Sequence, residues 1–183
     1  MIERITRSGA VVDVRDPGAH PDLRVADIAW ALDGIIRWGG HHPRRVTVCQ
    51  HSIAMARAAV RPYAHRRALA CLWHDAAEAF VGDLATQIKY SPEMAWYREL
   101  EADCHASLIR RFEPCLIDYD WSSIKDLDRA SLRREALAFP RTKGFLDHEA
   151  FRGDPLPPSA YQTLDDHHHW LRLRRAYRER LAV

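Results

Sequence analysis

Residues 64–80, AHRRALACLWHDAAEAF, decide the reading of this chain. Ala, Leu, Cys and Trp fill nearly all of one side of a helix predicted over Ala64–Phe80, and a helix this apolar belongs at the centre of a fold. The same helix carries His74, Asp75 and Glu78. Uncompensated burial of ionisable groups is costly, so these residues need partners, and a metal ion can supply one. Adjacent side chains diverge by about 100° on a helix, so His74 and Asp75 grip one ion only at the helix flank, with further ligands from other helices.

Those ligands are available on both sides in sequence. A second helical pattern from about Thr47 to Val60 puts His51 on a face with Val48, Ala54, Met55 and Ala58, where taken alone it reads as a core histidine. A later pattern from about Ser123 to Ala138 holds Asp126, Asp128 and Glu135. Asp128, flanked by Leu127, Ala130 and Leu132, is a distal candidate, and Asp126 competes for the place. Two histidines and two aspartates suit Mn²⁺, Co²⁺, Zn²⁺, Fe²⁺ or Ni²⁺ with positions open for water and a substrate oxygen.

The rest of the chain extends the helical reading. Residues 1–24 form an extended lead, with Val11, Val12 and Val14 suggesting a short strand and Pro17, Gly18 and Pro21 excluding a long helix. A helix from Val25 is expected to end around Arg37–Trp38, before Gly39–Gly40. Further helices are predicted from Pro92 to about Phe112 and, rich in arginine, from about Leu164 to Leu181. Residues 139–159 hold four prolines and two glycines and read as a surface loop. The expectation is one all-α domain over 1–183, a bundle of about six helices with a short extended N-terminal segment.

Composition narrows the function. The 183 residues are 47% hydrophobic and 28% charged, as in an ordinary globular protein. A net charge of +2 provides no broad field for nucleic acid, and no stretch of 18 apolar residues points to a membrane. Four cysteines without C-x-x-C spacing read as reduced, core-packed thiols of a cytoplasmic protein. Histidine is the outlying count at 11. His41–His42 is expected in a solvated loop, and His167–His168–His169 at a helix start. The apolar helices and the terminal helix lead us to expect a homo-oligomer, a dimer or larger.

The order of His51 in CQHS, His74–Asp75 in LWHDAAE and Asp128 in IKDLDRASLRRE resembles the HD-domain metal-dependent phosphohydrolases. The likeness runs from about Val25 to Glu135, and is greatest to the compact 5'-deoxynucleotidases and small deoxynucleoside triphosphohydrolases. Arg37–Trp38, QHS at Gln50–Ser52 and HDAAEAFVGDLATQIKY from His74 to Tyr90 carry it. The resemblance implies that His51, His74, Asp75 and Asp128 bind a divalent metal. It implies that Glu78 acts on the attacking water, that Asp83 assists leaving-group departure, and that Arg37, Trp38 and Lys89 bind phosphate, base or sugar. The expected reaction is release of phosphate from deoxynucleoside 5'-monophosphates. A deoxynucleoside triphosphate triphosphohydrolase comes second, kept close by Arg44 and Arg45 near the presumed mouth, and a catalytically idle nucleotide-binding module third.

Overall fold

The computed structural model describes residues 1–60, 64–139, 154–161 and 166–181. It opens with a hairpin in which β1 (Glu3–Ile5) and β2 (Val11–Asp13) pair antiparallel, Arg4 opposite Val12. Val12 and Val14 alternate into the core. The expected strand is present, and its partner is the charged stretch whose composition gave no strand signal.

Among the described residues, six helices have nine residues or more: α1 (Val25–Gly34), α2 (Val48–Ala59), α3 (His65–Trp73), α6 (Ala95–Phe112), α7 (Lys125–Ala136) and α8 (His167–Leu181). Two four-residue helices, α4 (Glu78–Val81) and α5 (Thr86–Lys89), lie between α3 and α6. The chain is therefore the all-α bundle expected. α2 packs along α3, while α8 closes over α1 and α3. Trp73 and Trp170 meet edge to face at 5.3 Å, and the Trp170 indole donates to the Leu72 carbonyl at 3.1 Å. Each large apolar side chain so buried contributes about 1.5–3 kcal/mol.

Two boundaries differ from expectation in ways that build the site. α1 stops at Gly34, short of Arg37–Trp38. Glycine is a poor helix former, and the next residues find better partners in an extended segment: Arg37 N donates to Val46 O at 2.9 Å and Val48 N to Ile35 O at 3.0 Å. This bridge sets Arg37 beside the start of α2, which Thr47 and Gln50 cap reciprocally at 3.1 Å.

The helix expected over Ala64–Phe80 is broken after Trp73. Residues 74–77 follow a tighter path in which Ala76 N donates to Trp73 O and Glu78 N to Asp75 O, both at 3.0 Å, before α4 begins. The His74 imidazole takes the Cys71 carbonyl for itself at 2.8 Å, the kind of local side-chain bond that competes with a regular helix. The turn also removes the divergence that a straight helix would impose on His74 and Asp75.

Most of the Pro-rich stretch, residues 140–153, lies outside the described residues, as do 164–165 of the predicted last helix. Leu156 and Ala160 pack against Ala54 on α2, and Leu156 N donates to Ala130 O at 2.9 Å. No helix among the described residues is long and apolar enough to cross a membrane.

Candidate metal and phosphate site

α7 and the turn after α3 converge on His51, which is fully buried in α2. Its Nδ1 lies 2.8 Å from Glu135 Oε1 and 2.9 Å from Ser131 Oγ, both on α7. His74 is held in the same manner by the Cys71 carbonyl. A carbonyl or a carboxylate only accepts, so each Nδ1 carries the hydrogen and each Nε2 presents a lone pair. The two Nε2 atoms stand 3.2 Å apart. Two lone pairs at that distance repel unless a cation or a proton lies between them.

Carboxylates complete the ring. Asp75 Oδ2 is 2.9 Å from His74 Nε2 and 3.7 Å from His51 Nε2. Asp128 Oδ1 approaches His51 Nε2 to 3.2 Å, and the ligand atoms of His51, His74 and Asp128 all fall within 4.8 Å of one another. The two nitrogens and the Asp128 oxygen form a compact group that could hold a divalent transition ion, with Asp75 beside the two histidines, and hydrogen bonds at Nδ1 are of the kind that orient such ligands. Asp126 instead pairs with Arg129 at the surface, and its side chain is 82% exposed.

The electrostatics match this geometry. Burial acts to push the Asp75 carboxyl up, but His74, His51 and Arg37 outweigh it and hold it far below the usual carboxylate range. For the His51 imidazole, burial and Arg37 push down, while Glu135 and Asp128 raise it to about 9. The acidic neighbours thus favour positive charge at this point.

A cleft of about 380 Å³ opens beside this cluster, lined by Arg37, Asp75, Glu78, Asp83, Lys89 and Asp128, with Lys125 and Arg129 on α7. Glu78, at the start of α4, is 6% exposed, and its Oε2 has no hydrogen-bond partner among the described residues. Burial, then Asp75 and Asp83, push its carboxyl well up. Gly82 at φ 88 ends α4, a conformation glycine reaches without a Cβ clash, and delivers Asp83 to the cleft. Burial raises Asp83 as well, with Asp75 adding to it. Lys89 Nζ sits 2.5 Å from Glu101 Oε2 and still borders the cleft.

Arg37 is buried, with Nε 3.0 Å from Glu135 Oε2 and Nη1 3.6 Å from Asp75 Oδ2. Trp38 adopts φ 61 and Gly39 φ 57, and Gly40 N donates back to Arg37 O at 3.2 Å. A non-glycine residue held left-handed costs on the order of 1–3 kcal/mol and persists where its surroundings over-determine it. Here the Trp38 indole donates to Glu135 Oε2 at 2.7 Å, and its ring lies 5.2 Å from that of Phe139. Trp38 borders a smaller recess of about 80 Å³ that shares Arg37, Asp83 and Leu132 with the main cleft.

Several participants escaped the sequence reading. Lys125 sits three residues before Asp128, a spacing that shares a helix face and could have flagged it, while Glu135, seven after Asp128, is expected on that helix without a role. Tyr161 reaches Glu135 from a segment with no local signal. His41 is exposed as expected, but His42 is not in a solvated loop: it is buried, donating from Nε2 to the Glu135 carbonyl at 3.0 Å and accepting the Arg44 amide at Nδ1. Arg44 lines a separate pocket behind Glu135 with Gln50, Arg134 and Tyr161. It does not border the metal-side cleft. His167 begins α8, as expected, with Nδ1 3.0 Å from Asp33.

A helical bundle that gathers His51, His74 and Asp128, with Asp75 alongside, next to an arginine-bearing cleft has the architecture of a metal-dependent phosphohydrolase. The chain belongs to the YfbR-like 5'-deoxynucleotidase family, whose model matches residues 27–120. It is also 32% identical over 159 residues to an uncharacterized protein of Rhodobacter capsulatus, covering 82% of this chain and 79% of the relative. In general terms it is a metal-dependent nucleotide phosphohydrolase. The family match contains His51, His74 and Asp75; Asp128 and Glu135 lie beyond it and rest on the geometry.

Proposed function

We propose that the protein releases orthophosphate from deoxynucleoside 5'-monophosphates, using a divalent ion held by His51, His74, Asp75 and Asp128. The observation that carries this reading is the meeting of two bare Nε2 atoms at 3.2 Å with Asp75 and Asp128 around them. A bound cation polarises the phosphoryl oxygen and lowers the pKa of water toward neutrality. Arg37 neutralises and orients the phosphate from the cleft wall, its guanidinium fixed by Glu135. Glu78 accepts the proton as water oxygen bonds to phosphorus, and burial makes it a stronger base than an exposed glutamate. Asp83, also pushed up by burial, gives its proton to the O5' atom as the P–O5' bond breaks. Water thus becomes the fourth phosphate oxygen, and the nucleoside leaves as the neutral alcohol. Lys89 adds positive charge near the phosphate, and Trp38 forms a wall for sugar or base at the adjoining recess.

Among the described residues no two cysteines are joined in a disulfide, which suits a cytoplasmic setting. A second reading, release of tripolyphosphate from a deoxynucleoside triphosphate, draws on Lys125 and Arg129 at the cleft. It loses the support of Arg44, which faces a different pocket. Product analysis separates the two. With Mn²⁺, Co²⁺ or Zn²⁺ present, dAMP is expected to yield orthophosphate and dATP no tripolyphosphate; tripolyphosphate from dATP establishes the second reading, and no product from either nucleotide overturns both.

A further inference from the structure

Glu135 lies outside the ligand set and outside the cleft chemistry, yet it is the most heavily bonded side chain of the site. It is 2% exposed. Oε1 lies 2.8 Å from His51 Nδ1 and accepts from Tyr161 Oη at 2.7 Å. Oε2 accepts from Arg37 Nε at 3.0 Å and Trp38 Nε1 at 2.7 Å. An ionised carboxylate offers about four acceptor positions, and all are used. The donors come from α2, from the turn after α1 and from the segment 154–161, so one side chain on α7 ties together parts of the chain that are remote in sequence.

We infer that Glu135 is a positioning residue that couples the cation ligand His51, through Oε1, to the phosphate-side pair Arg37–Trp38, through Oε2, with Tyr161 and Ser131 steadying the Oε1 end. The inference rests on His51 being a ligand, as proposed above. Accepting the Nδ1 hydrogen keeps the lone pair on Nε2, where the cation needs it. Accepting from Arg37 Nε leaves the terminal guanidinium nitrogens aimed at the cleft. The left-handed Trp38 is fixed by the same oxygen, so metal and phosphate binding share one support.

The two ends respond differently to an amide. In Glu135→Gln the NH2 group cannot face Arg37 and Trp38, because both are donors there. It must turn toward Tyr161, whose hydroxyl accepts as well as donates. His51 then loses its carboxylate acceptor, and the tautomer with hydrogen on Nε2, which cannot ligate, gains ground.

The test is calorimetric titration of chelator-stripped protein with Mn²⁺, alongside thermal melts and the KM of dAMP. Glu135→Gln is expected to bind Mn²⁺ about 10–100-fold more weakly than wild type, the usual cost of losing an outer hydrogen bond to a ligand. Its KM is expected to change less than its ion affinity, since Arg37 and Trp38 keep their acceptor. Glu113→Gln, a buried carboxylate remote from the site, is the control and should bind Mn²⁺ as wild type does. Equal Mn²⁺ affinity in a folded Glu135→Gln overturns the inference and leaves the ligand reading standing. Wild-type protein that takes up no Mn²⁺, Co²⁺ or Zn²⁺ overturns the ligand reading and this inference with it. If Glu135→Gln does not fold, Tyr161→Phe decides: severalfold weaker Mn²⁺ binding supports the coupling, and unchanged binding refutes it.

Discussion

Glu113 and Glu135 are both buried carboxylates, 0% and 2% exposed, and they are solvated by the protein in opposite ways. Glu113, at the end of α6, has Arg174 Nε at 2.5 Å on one oxygen, while Arg178 Nε stays 3.5 Å from the other, beyond a hydrogen bond. Burial prevails there over both arginines, and the carboxyl is pushed up. Glu135 has four donors on its two oxygens; Arg37 and His51 overcome the same burial, and the carboxyl is held far down. Burial alone therefore does not mark a functional carboxylate. What distinguishes Glu135 is that its donors are themselves parts of the site, whereas those of Glu113 join α8 to α6.

A third buried carboxylate sharpens the contrast most. Glu78 has an oxygen with no hydrogen-bond partner among the described residues and faces the cleft. Glu78→Ala is expected to lower turnover of dAMP by about 10²–10⁴-fold, the range for a lost general base, with metal content by elemental analysis unchanged. Turnover near the wild-type rate would remove Glu78 from the mechanism.

Glu113→Ala should have its effect on stability. Removing one partner of a buried pair leaves Arg174 uncompensated, at a cost of about 3 kcal/mol in chemical denaturation, while Mn²⁺ affinity stays unaltered. A loss of ion binding in that variant would mean that the Glu113–Arg174 pair and the ion site are not independent.

The smallest effect has the most specific sign. Glu113 has a folded-state pKa above its ordinary 4.5, so its contribution to stability is fully present below that pH and is lost as pH rises through the raised value. Glu135 has a folded-state pKa below 4.5, so its contribution is present above that pH and is lost as pH falls through the depressed value. In metal-free protein, Glu113→Gln should therefore gain on wild type as the pH is raised from acid to neutral, and Glu135→Gln should lose ground. Denaturation midpoints at several pH values check both, and parallel curves would contradict the assignment.

Much of this was legible from spacing alone. His74, Asp75 and Glu78 stand out because ionisable groups in an apolar helix demand compensation, and His51 and Asp128 because similar apolar surroundings frame them. The break after Trp73 was not legible, because it arises from His74 capturing the Cys71 carbonyl, a choice a propensity pattern does not register. Nor was the end of α1 at Gly34, which follows from pairing with residues 46–48 across a loop. The assembly around Glu135 needed the fold itself, since Arg37 and Tyr161 are separated from it by 98 and 26 positions and meet it only when α7 is in place.

The central claim is that hydrolysis depends on an ion gripped by the paired histidines. Phosphate release from dAMP should be measured on chelator-stripped protein, before and after adding Co²⁺ or Mn²⁺, for wild type and His74→Ala. Wild type is expected to be inert when stripped and active when the ion returns, with His74→Ala inert throughout. Undiminished release by the stripped protein, or wild-type release by His74→Ala, would contradict it.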